Sequence, residues 1–469
     1  MLTSPLLWLI DAGILSGLWT LGILTVRFLL PRSGFLEQIS LGYGLGIGII
    51  TWILFLLSWA GVPLNRITIL FVFFILVAMG ILGRKLAGRQ AAPPPDPAEL
   101  KPGRISVMLD SAGWILFVIF GVALLILSVG LSYYVWDAMA IWSVKGYGIG
   151  LEGSIFAAAQ WGAKGLAYPL NIPLGISIFF AFDHDLLPGS KLLFPGFLIS
   201  LLIGIYFFLK KQNLPAWLTW CVVFAIGTTP ILLQYSLIGY ANVPYAYYQV
   251  LGTLWIAWGL KTEDLRRVTA GGILLALSIW TRLEGLEFWL VAVIGLAVVW
   301  RREMVRRNAA LAIALPALIV GISWVGFVRL NQATTGETTV LFTALTRMLH
   351  GEFHPLAVYT IARYAAYLVI RTGVYGSLLP LAIGLALLLA IFSRRVRKDR
   401  LTMTLLGCGL LIGIGVMGMY YMTSYDSSMS LLAWLGTGFD RMLFGAVILL
   451  AMTSGIILWQ ASTDKQKPI

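Results

Sequence analysis

The sequence predicts an all-α, polytopic transmembrane helical bundle, and three observations support this prediction. The chain of 469 residues is 59% hydrophobic and only 11% charged, whereas about a quarter of the residues of a soluble domain are charged. Its apolar runs reach the ~20 residues that a helix needs to cross a bilayer. Its basic residues fall in short clusters between those runs, which is typical of membrane topology. A soluble protein and a nucleic-acid partner are therefore not expected.

The apolar runs predict about thirteen transmembrane helices, of which the eighth and ninth are short. The first run is expected to be a retained helix and not a cleavable signal peptide, because no basic residue precedes it and the run is too long. The thirteen runs span residues 5–30, 37–61, 67–83, 112–134, 190–209, 215–238, 244–260, 268–281, 286–300, 309–328, 374–393, 401–421 and 440–460.

The basic clusters orient this bundle. Five clusters, which begin at Arg84, Lys210, Arg266, Arg301 and Arg394, all fall on one side of the thirteen-helix arrangement. The positive-inside rule makes that side cytoplasmic. With this orientation, 23 of the 33 Lys and Arg residues lie inside and ten lie outside. We therefore predict a multi-pass membrane protein whose N-terminus is outside.

Composition divides the chain into four parts. Residues 1–90 form an N-terminal three-helix part, and residues 91–111 form a cytoplasmic linker that is rich in proline. Residues 112–300 form the central transmembrane module, and residues 301–469 form the C-terminal transmembrane part. No convincing internal repeat is found, so the sequence gives no support for an inverted-repeat transporter.

Three predicted outside loops are too long and too polar to be turns. They span residues 135–189, 329–373 and 422–439. Connections in compact domains are commonly about 4–6 residues long, and longer ones tend to be functional. Short helices that do not cross the membrane are expected within these loops at residues 169–182, 341–349 and 356–370.

The segment directly after the fourth apolar run is the most informative part of the sequence. If it is helical, Asp137 and Lys145 share one face two turns apart, with Trp136 and Trp142 on the flanks. An acid at the mouth of a bundle, between aromatic side chains, can act as a general base, and a cation two turns away can bind an anion. Partial desolvation would raise the pKa of that acid. An interfacial aromatic belt with an incidental Asp and Lys fits the same residues equally well.

Four short motifs, which follow one another in order along the chain, resemble those of a known protein family. They are Trp136-Asp-Ala-x-x-x-Trp-x-x-Lys145, Tyr168-Pro169-Leu-x-x-Pro173, Gly239-Tyr-Ala-Asn-Val-Pro244 and Thr281-Arg-Leu-Glu-Gly285. Together they resemble the bacterial membrane glycosyltransferases of the GT-C class. These are relatives of the dolichyl-phosphate-mannose-dependent protein O-mannosyltransferases and of the lipid A aminoarabinose transferase. The resemblance covers residues 112–460.

This resemblance implies a GT-C-like fold and a glycosyltransferase that moves a sugar from a polyprenyl-phosphate carrier to an acceptor. The resemblance further implies that the acceptor is a lipid, a glycan or a protein and that transfer takes place on the extracytoplasmic face of the bacterial inner membrane. The family role of catalytic base or acceptor-positioning group falls on Asp137. Cleavage of a sugar–phosphate bond needs an activated nucleophile on one side and stabilised leaving-group charge on the other.

The resemblance also suggests further site residues. Cations near the outer interface are candidates for binding the donor phosphate or sugar: Lys145, Arg282, Arg347, Arg371 and Arg441. Candidates for the cavity wall or for acceptor contact are Trp136, Trp142, Tyr168, Asn242, Glu284 and Asp426.

Several of these polar residues have a second interpretation. Arg282 and Glu284 suit a buried structural ion pair as well as a donor-binding role. Arg441, oriented by Asp426 or Asp440, suits phosphate binding, and a structural salt bridge is the plainer alternative. Outside this set, Asp11 near the outer end of the first helix is expected to be solvated.

No cofactor is predicted. Where the family often has an acid, this sequence has Asn242, and a neutral amide is a poorer ligand for a hard cation than a carboxylate. The sequence therefore argues against dependence on a divalent metal. The acidic and histidine residues at 183–185 lie next to one another on one short loop and are expected to form a solvated turn.

The rival function is a transporter or flippase of a lipid-linked saccharide, in which the same charges would line a path through the bilayer.

Overall fold

The computed structural model describes residues 5–86, 104–183, 189–306, 308–333, 336–425 and 429–464. Within these ranges the chain is mostly helical and has no β-strand, which confirms the all-α prediction. Eight of the described helices are long and apolar enough to cross a membrane. A bent pair, Ala216–Gly227 with Pro230–Ile238, makes a ninth if it counts as one span. The chain is a multi-pass helical membrane protein, and the count of thirteen spans stays a prediction.

Twenty-two α-helices and several shorter turns follow one another along the described chain. The first part contains α1 (Pro5–Leu29), α2 (Phe35–Trp59), α3 (Arg66–Leu86) and α4 (Arg104–Gly130). Short elements follow: a π-helix (Ala138–Ser143), α5 (Val144–Glu152), a 3-10 turn (Ile155–Ala157), α6 (Ala158–Trp161), a 3-10 turn (Gly165–Ala167), α7 (Asn171–Asp183) and a 3-10 turn (Gly189–Leu192). The middle of the chain forms α8 (Leu193–Lys211), α9 (Ala216–Gly227), α10 (Pro230–Ile238), α11 (Asn242–Thr262), α12 (Leu265–Thr281), α13 (Gly285–Arg306) and α14 (Ala309–Leu330).

The C-terminal part alternates short and long helices. It contains α15 (Gly336–Leu349), α16 (Pro355–Ile370), α17 (Thr372–Tyr375), α18 (Leu378–Phe392), α19 (Arg394–Lys398), α20 (Arg400–Met422), a 3-10 turn (Thr423–Tyr425), α21 (Leu431–Met442) and α22 (Phe444–Asp464). Every apolar run of the sequence coincides with helix here. Helices are also present near residues 169–182, 341–349 and 356–370, as α7, α15 and α16, and that they do not cross the membrane stays a prediction.

The fourth apolar run shows how polar residues extend a helix beyond its hydrophobic part. The sequence predicts a linker up to residue 111 and an apolar run from residue 112, but α4 already begins at Arg104. Asp110 lies in this extension and accepts hydrogen bonds from Trp220 Nε1 at 3.0 Å and from the Tyr206 hydroxyl at 2.9 Å. These contacts hold the polar first turns of α4 against α8 and α9, so the helix starts earlier than hydropathy indicates.

Small residues set the closest helix contacts. The helices α1 and α2 approach so tightly that a methyl group on Gly22 would lie 1.6 Å from the carbonyl oxygen of Gly42. The helices α11 and α12 pack in the same way, because a methyl group on Gly252 would lie 2.8 Å from the backbone nitrogen of Leu275. Close approach through small residues is the usual way in which membrane helices associate, since lipid supplies little hydrophobic drive between them.

The N-terminal part packs into the centre of the bundle. The Tyr43 hydroxyl on α2 donates to the carbonyl oxygen of Leu193 at 2.9 Å. The Tyr248 hydroxyl on α11 donates to the carbonyl oxygen of Gly44 at 2.8 Å. These hydrogen bonds join α2 to α8 and α11, so α2 belongs to the same packed core as the central module.

One end of the bundle is covered by the short elements between α4 and α8. We call it the loop end. Thr51 on α2 donates to Asn171 at the start of α7, and Asn171 donates in turn to Thr281 at the end of α12. Asp11 is also buried here, and the expectation that it is solvated was wrong. Its carboxylate packs against Gly189, where a methyl group would lie 2.0 Å from the Asp11 carboxyl carbon.

Candidate active site

Four chain segments that are far apart in sequence meet at the loop end. Asp137 directly precedes the π-helix after α4, and Asn242 is the first residue of α11. Arg282 follows the last residue of α12 with extended backbone angles, and Arg441 lies near the end of α21. Because each residue stands at a helix end, its polar group can reach this site without lying in the middle of a membrane span.

The tight link between α12 and α13 positions Arg282. The chain turns within the sequence Thr281-Arg-Leu-Glu-Gly285, and the backbone N–H of Gly285 donates to the carbonyl oxygen of Arg282 at 3.0 Å. A methyl group on Gly285 would lie 2.4 Å from the carbonyl oxygen of Ser278, so only glycine permits this close packing. The turn therefore places Arg282 and Glu284 side by side at the same helix ends.

Arg282 and Glu284 form a two-pronged ion pair. The Arg282 Nη2 and Nε atoms donate to the two Glu284 oxygens at 3.0 and 3.1 Å. The third prong, Nη1, donates to the Asn242 amide oxygen at 2.8 Å. Burial raises the pKa of Glu284, but the Arg282 guanidinium outweighs it and holds that pKa below its ordinary range. The pair is therefore charged, and its hydrogen bonds fix the side chain of Asn242.

Arg441 pairs with Asp137 across the chain. The Arg441 Nη2 atom donates to Asp137 Oδ2 at 2.7 Å, and the two side chains are 12% and 24% exposed. The same guanidinium lies over the Tyr240 ring, with its carbon 4.7 Å from the ring centre. Its Nε atom is buried and has no hydrogen-bond partner within the described residues. Arg441 thus holds Asp137 while part of its donor fork stays unused.

The two arginines belong to one electrostatic unit. The Asn242 amide nitrogen donates to the Arg441 carbonyl oxygen at 3.4 Å, while its amide oxygen binds Arg282. The positive charge of Arg282 is close enough to disfavour the charged form of Arg441, and the Glu284 carboxylate feels both guanidiniums. Two guanidiniums held near each other by buried partners favour binding of an anion such as a phosphate.

Asp440 lies beside this unit. It accepts a hydrogen bond from the backbone N–H of Arg441 at 2.7 Å, and the Tyr375 hydroxyl donates to its carbonyl oxygen. Burial raises the pKa of Asp440, and the Arg441 and Arg371 guanidiniums oppose that rise. The Arg371 charge thus acts at the edge of the site, although its guanidinium lies over the Tyr367 ring at 5.8 Å.

Lys145 and Asp137 bind different partners in the structure. The segment after Asp137 is a π-helix and not the predicted α-helix, and Lys145 lies just beyond it on α5. Lys145 is fully buried, and its Nζ donates to the carbonyl oxygen of Gly165 at 2.8 Å. Burial, with a smaller contribution from the Lys164 charge, lowers the pKa of Lys145 to about 7. Lys145 therefore holds the loop around Gly165, and the hydrogen bonds described for Lys145 and for Asp137 do not join the two residues.

The aromatic candidates divide into buried and exposed groups. Trp142 and Tyr168 are buried against each other with ring centres 5.1 Å apart, and the Tyr168 ring lies 5.9 Å from Lys145 Nζ. Tyr168 is also near enough to Arg282 to affect the pKa of its guanidinium, so it connects this aromatic pair with the charged residues. Trp136 is 60% exposed and directly precedes Asp137 in the chain.

Arg347 lies in a separate cluster on α15. Its Nε atom donates to Glu352 at 2.6 Å, and its guanidinium lies 5.5 Å from the ring centre of Tyr425. Nearby, the His354 ring stacks on Tyr425 at 4.2 Å. Arg347 shares none of these partners with Arg441. The structure therefore does not bring Arg347 together with the other predicted donor-binding cations.

Asp426 and the residues at 184–188 lie outside the described residues, so their predicted roles have no structural counterpart here. Within the described ranges, no group of three or more His, Cys, Asp or Glu side chains is placed to hold a metal ion.

The sequence reasoning missed Tyr235, whose ring lies 4.7 Å from that of Tyr240 and 5.9 Å from the Arg441 guanidinium. It also missed Tyr245, whose buried hydroxyl is near the charges of Arg282 and Glu284. Both are tyrosines that flank the quoted Gly239–Pro244 motif, which was the available signal.

The fold and this site define a multi-pass helical membrane protein with a cluster of ionised side chains at one end of its bundle. No protein-family model, curated protein or solved structure matches the chain.

Proposed function

We propose that this protein is a membrane glycosyltransferase that moves a sugar from a polyprenyl-phosphate donor to an acceptor at the loop end of the bundle. The observation that carries the proposal is the linked set Asp137–Arg441–Asn242–Arg282–Glu284, drawn from four separate segments. It combines an acid that can accept a proton with two guanidiniums suited to a phosphate. A helix-end location is also the level at which a lipid-linked phosphate sits.

In this proposal the donor phosphate binds at Arg441 and competes with Asp137 for its fork. The displaced Asp137 carboxylate is then free to take the proton of an acceptor hydroxyl. The acceptor oxygen bonds to the anomeric carbon of the sugar, and the bond between that carbon and the phosphate oxygen breaks. The polyprenyl phosphate leaves with the bonding electron pair, and the guanidiniums stabilise its additional negative charge. Donor binding thus activates the base, because Arg441 cannot hold both anions equally well.

Transport of a lipid-linked saccharide is the rival function. A transport path would place ionisable side chains near the middle of the membrane-spanning helices. The charged residues of this site instead stand at the ends of α12 and α21 and in the segment that follows α4. This distribution favours group transfer at one surface of the membrane over passage through it.

Asp137→Asn tests the proposed base. The variant is expected to fold and to bind polyprenyl phosphate. In proteoliposomes that contain polyprenyl-phosphate-mannose or polyprenyl-phosphate-aminoarabinose, together with an envelope extract of a strain that lacks this protein as the source of acceptor, it should no longer release polyprenyl phosphate. Mass spectrometry of the lipid fraction measures this release. Glu352→Gln, which also removes an acid from an ion pair at an exposed site, is the matched control and should keep wild-type release. Near-normal release by Asp137→Asn would overturn the assignment of the base, and failure of the wild-type protein to bind polyprenyl phosphate would overturn the function.

A further inference from the structure

A second polar feature lies at the opposite end of the bundle from the loop end. A cleft of about 400 Å³ opens where α8, α11 and α22 end and where α19 lies. Polar and charged side chains dominate its lining. The lining residues are Lys211, Gln212, Asn213, Lys261, Arg395, Asp399, Ile456, Trp459, Gln460 and Thr463.

The cleft has an excess of positive charge. Among the described side chains, Lys211, Lys261 and Arg395 line it, against one carboxylate, that of Asp399. That carboxylate is already engaged, since one of its oxygens accepts hydrogen bonds from Thr402 at 2.5 Å and from Gln460 at 2.8 Å. The Lys261 ammonium is 3.9 Å from Asp399, which is too long for a hydrogen bond. Most of the positive charge in the cleft is therefore available to an anion.

The walls of the cleft are tied together and do not depend on a ligand for their shape. Arg395 Nη1 donates to Thr463 Oγ1 at 3.0 Å, which joins α19 to the end of α22. Lys261 Nζ donates to the Gln212 amide oxygen at 3.2 Å, which joins the end of α11 to the turn after α8. Each of these two cations keeps further N–H groups for a ligand, because an ammonium has three donors and a guanidinium has five.

The position of the cleft points to a lipid. The helices α8 and α22 are both long and apolar enough to span a membrane, so their ends lie at the level of the headgroups. Trp459 lines the cleft, and tryptophan is enriched at this level of a bilayer. The neighbouring helix α18 exposes large apolar side chains, among them Leu385 and Leu388, on which acyl chains can lie.

We propose that this cleft binds the phosphate headgroup of an anionic phospholipid, with Lys211, Lys261 and Arg395 as its ligands and the acyl chains against α18. Basic pockets between membrane helices are suited to such headgroups. The proposal does not depend on the proposed transferase function, because the cleft and the loop end share no residue.

The test compares two matched triple variants in native mass spectrometry of the purified full-length protein. One variant combines Lys211→Gln, Lys261→Gln and Arg395→Gln. The control combines Arg301→Gln, Arg397→Gln and Lys398→Gln, which removes the same charge from exposed positions outside the cleft. Each protein is titrated with phosphatidylglycerol and with phosphatidylcholine. We expect the wild-type protein and the control to retain phosphatidylglycerol in preference to phosphatidylcholine, and the cleft variant to bind phosphatidylglycerol roughly tenfold or more weakly.

Three outcomes would overturn the proposal. Equal binding of the two lipids would show that the headgroup charge is not recognised. An equal loss in the control would show only a general effect of surface charge. Release of bound phosphatidylglycerol by inorganic phosphate or glycerol 3-phosphate at equal concentration would assign the cleft to a soluble phosphate. If the cleft variant does not fold, Thr463→Trp fills the cleft without a change in charge and should lower phosphatidylglycerol binding to the same extent.

Discussion

The two ion pairs of the loop end differ in how completely their charges are satisfied. In the inner pair, all three prongs of the Arg282 fork donate, two of them to Glu284 and one to Asn242. In the outer pair, Arg441 makes one hydrogen bond to Asp137, and its buried Nε has no partner within the described part of the chain. A fully used pair is suited to hold the site together, whereas a partly used pair can exchange its partner for a ligand.

The largest predicted effect concerns the inner pair. Glu284→Gln leaves the buried Arg282 guanidinium without its counter-charge, so we expect the free energy of unfolding to fall by about 3 kcal/mol. This value is at the low end for a buried pair because Glu284 is partly exposed. Thermal or denaturant unfolding in detergent measures this change. The double variant Arg282→Met with Glu284→Met should lose less than Glu284→Gln alone, because no charge is then left unpaired. A loss below ~1 kcal/mol for Glu284→Gln would place the inner pair in the class of exchangeable pairs.

The outer pair should show the opposite balance between stability and binding. Arg441→Gln is expected to weaken polyprenyl-phosphate binding by roughly 10- to 100-fold, since a hydrogen bond to a charged group contributes about 1.5–3 kcal/mol. Its unfolding free energy should fall by less than that of Glu284→Gln. Arg441→Lys keeps the charge without the planar fork and should bind with an intermediate affinity. If Arg441→Gln unfolds the protein but leaves the binding of the folded fraction intact, the outer pair is the structural one.

The sequence predicted the members of both pairs but not how they are paired. Residue types and motif order were enough to single out Asp137, Asn242, Arg282, Glu284 and Arg441. Helical spacing along one segment pointed to Lys145 as the positive charge near Asp137, whereas Lys145 donates to the carbonyl oxygen of Gly165. The actual partner, Arg441, is 304 positions away, and such a contact depends on how helix ends pack together. Helix positions were predictable from hydropathy, whereas the count of thirteen spans stays a prediction, since several apolar helices are short.

Lys145 differs from both arginines, because it is a buried cation whose hydrogen bond goes to a neutral group, the carbonyl oxygen of Gly165. Because burial lowers its pKa to about 7, the folded protein releases this proton near pH 7 while the unfolded chain keeps it to about pH 10. The unfolded state therefore binds more protons in this range, so stability should rise with pH between these two values. Lys145→Met should remove most of this rise in unfolding experiments across the pH range. A parallel rise in Lys145→Met would assign the effect to other groups.

The smallest predicted effect concerns the exposed pair of Arg347 and Glu352, whose side chains are 44% and 48% exposed. Water screens such a pair and its geometry costs side-chain entropy, so Arg347→Gln should change the unfolding free energy by less than about 1 kcal/mol. Polyprenyl-phosphate binding should also stay at the wild-type value, because Arg347 shares no partner with Arg441. The same binding assay and unfolding measurement decide both points. A clear loss of binding in Arg347→Gln would mean that the donor site extends along α15. It would also mean that Arg347 can bind the donor phosphate although it is paired with Glu352, as Arg441 is proposed to do although it is paired with Asp137.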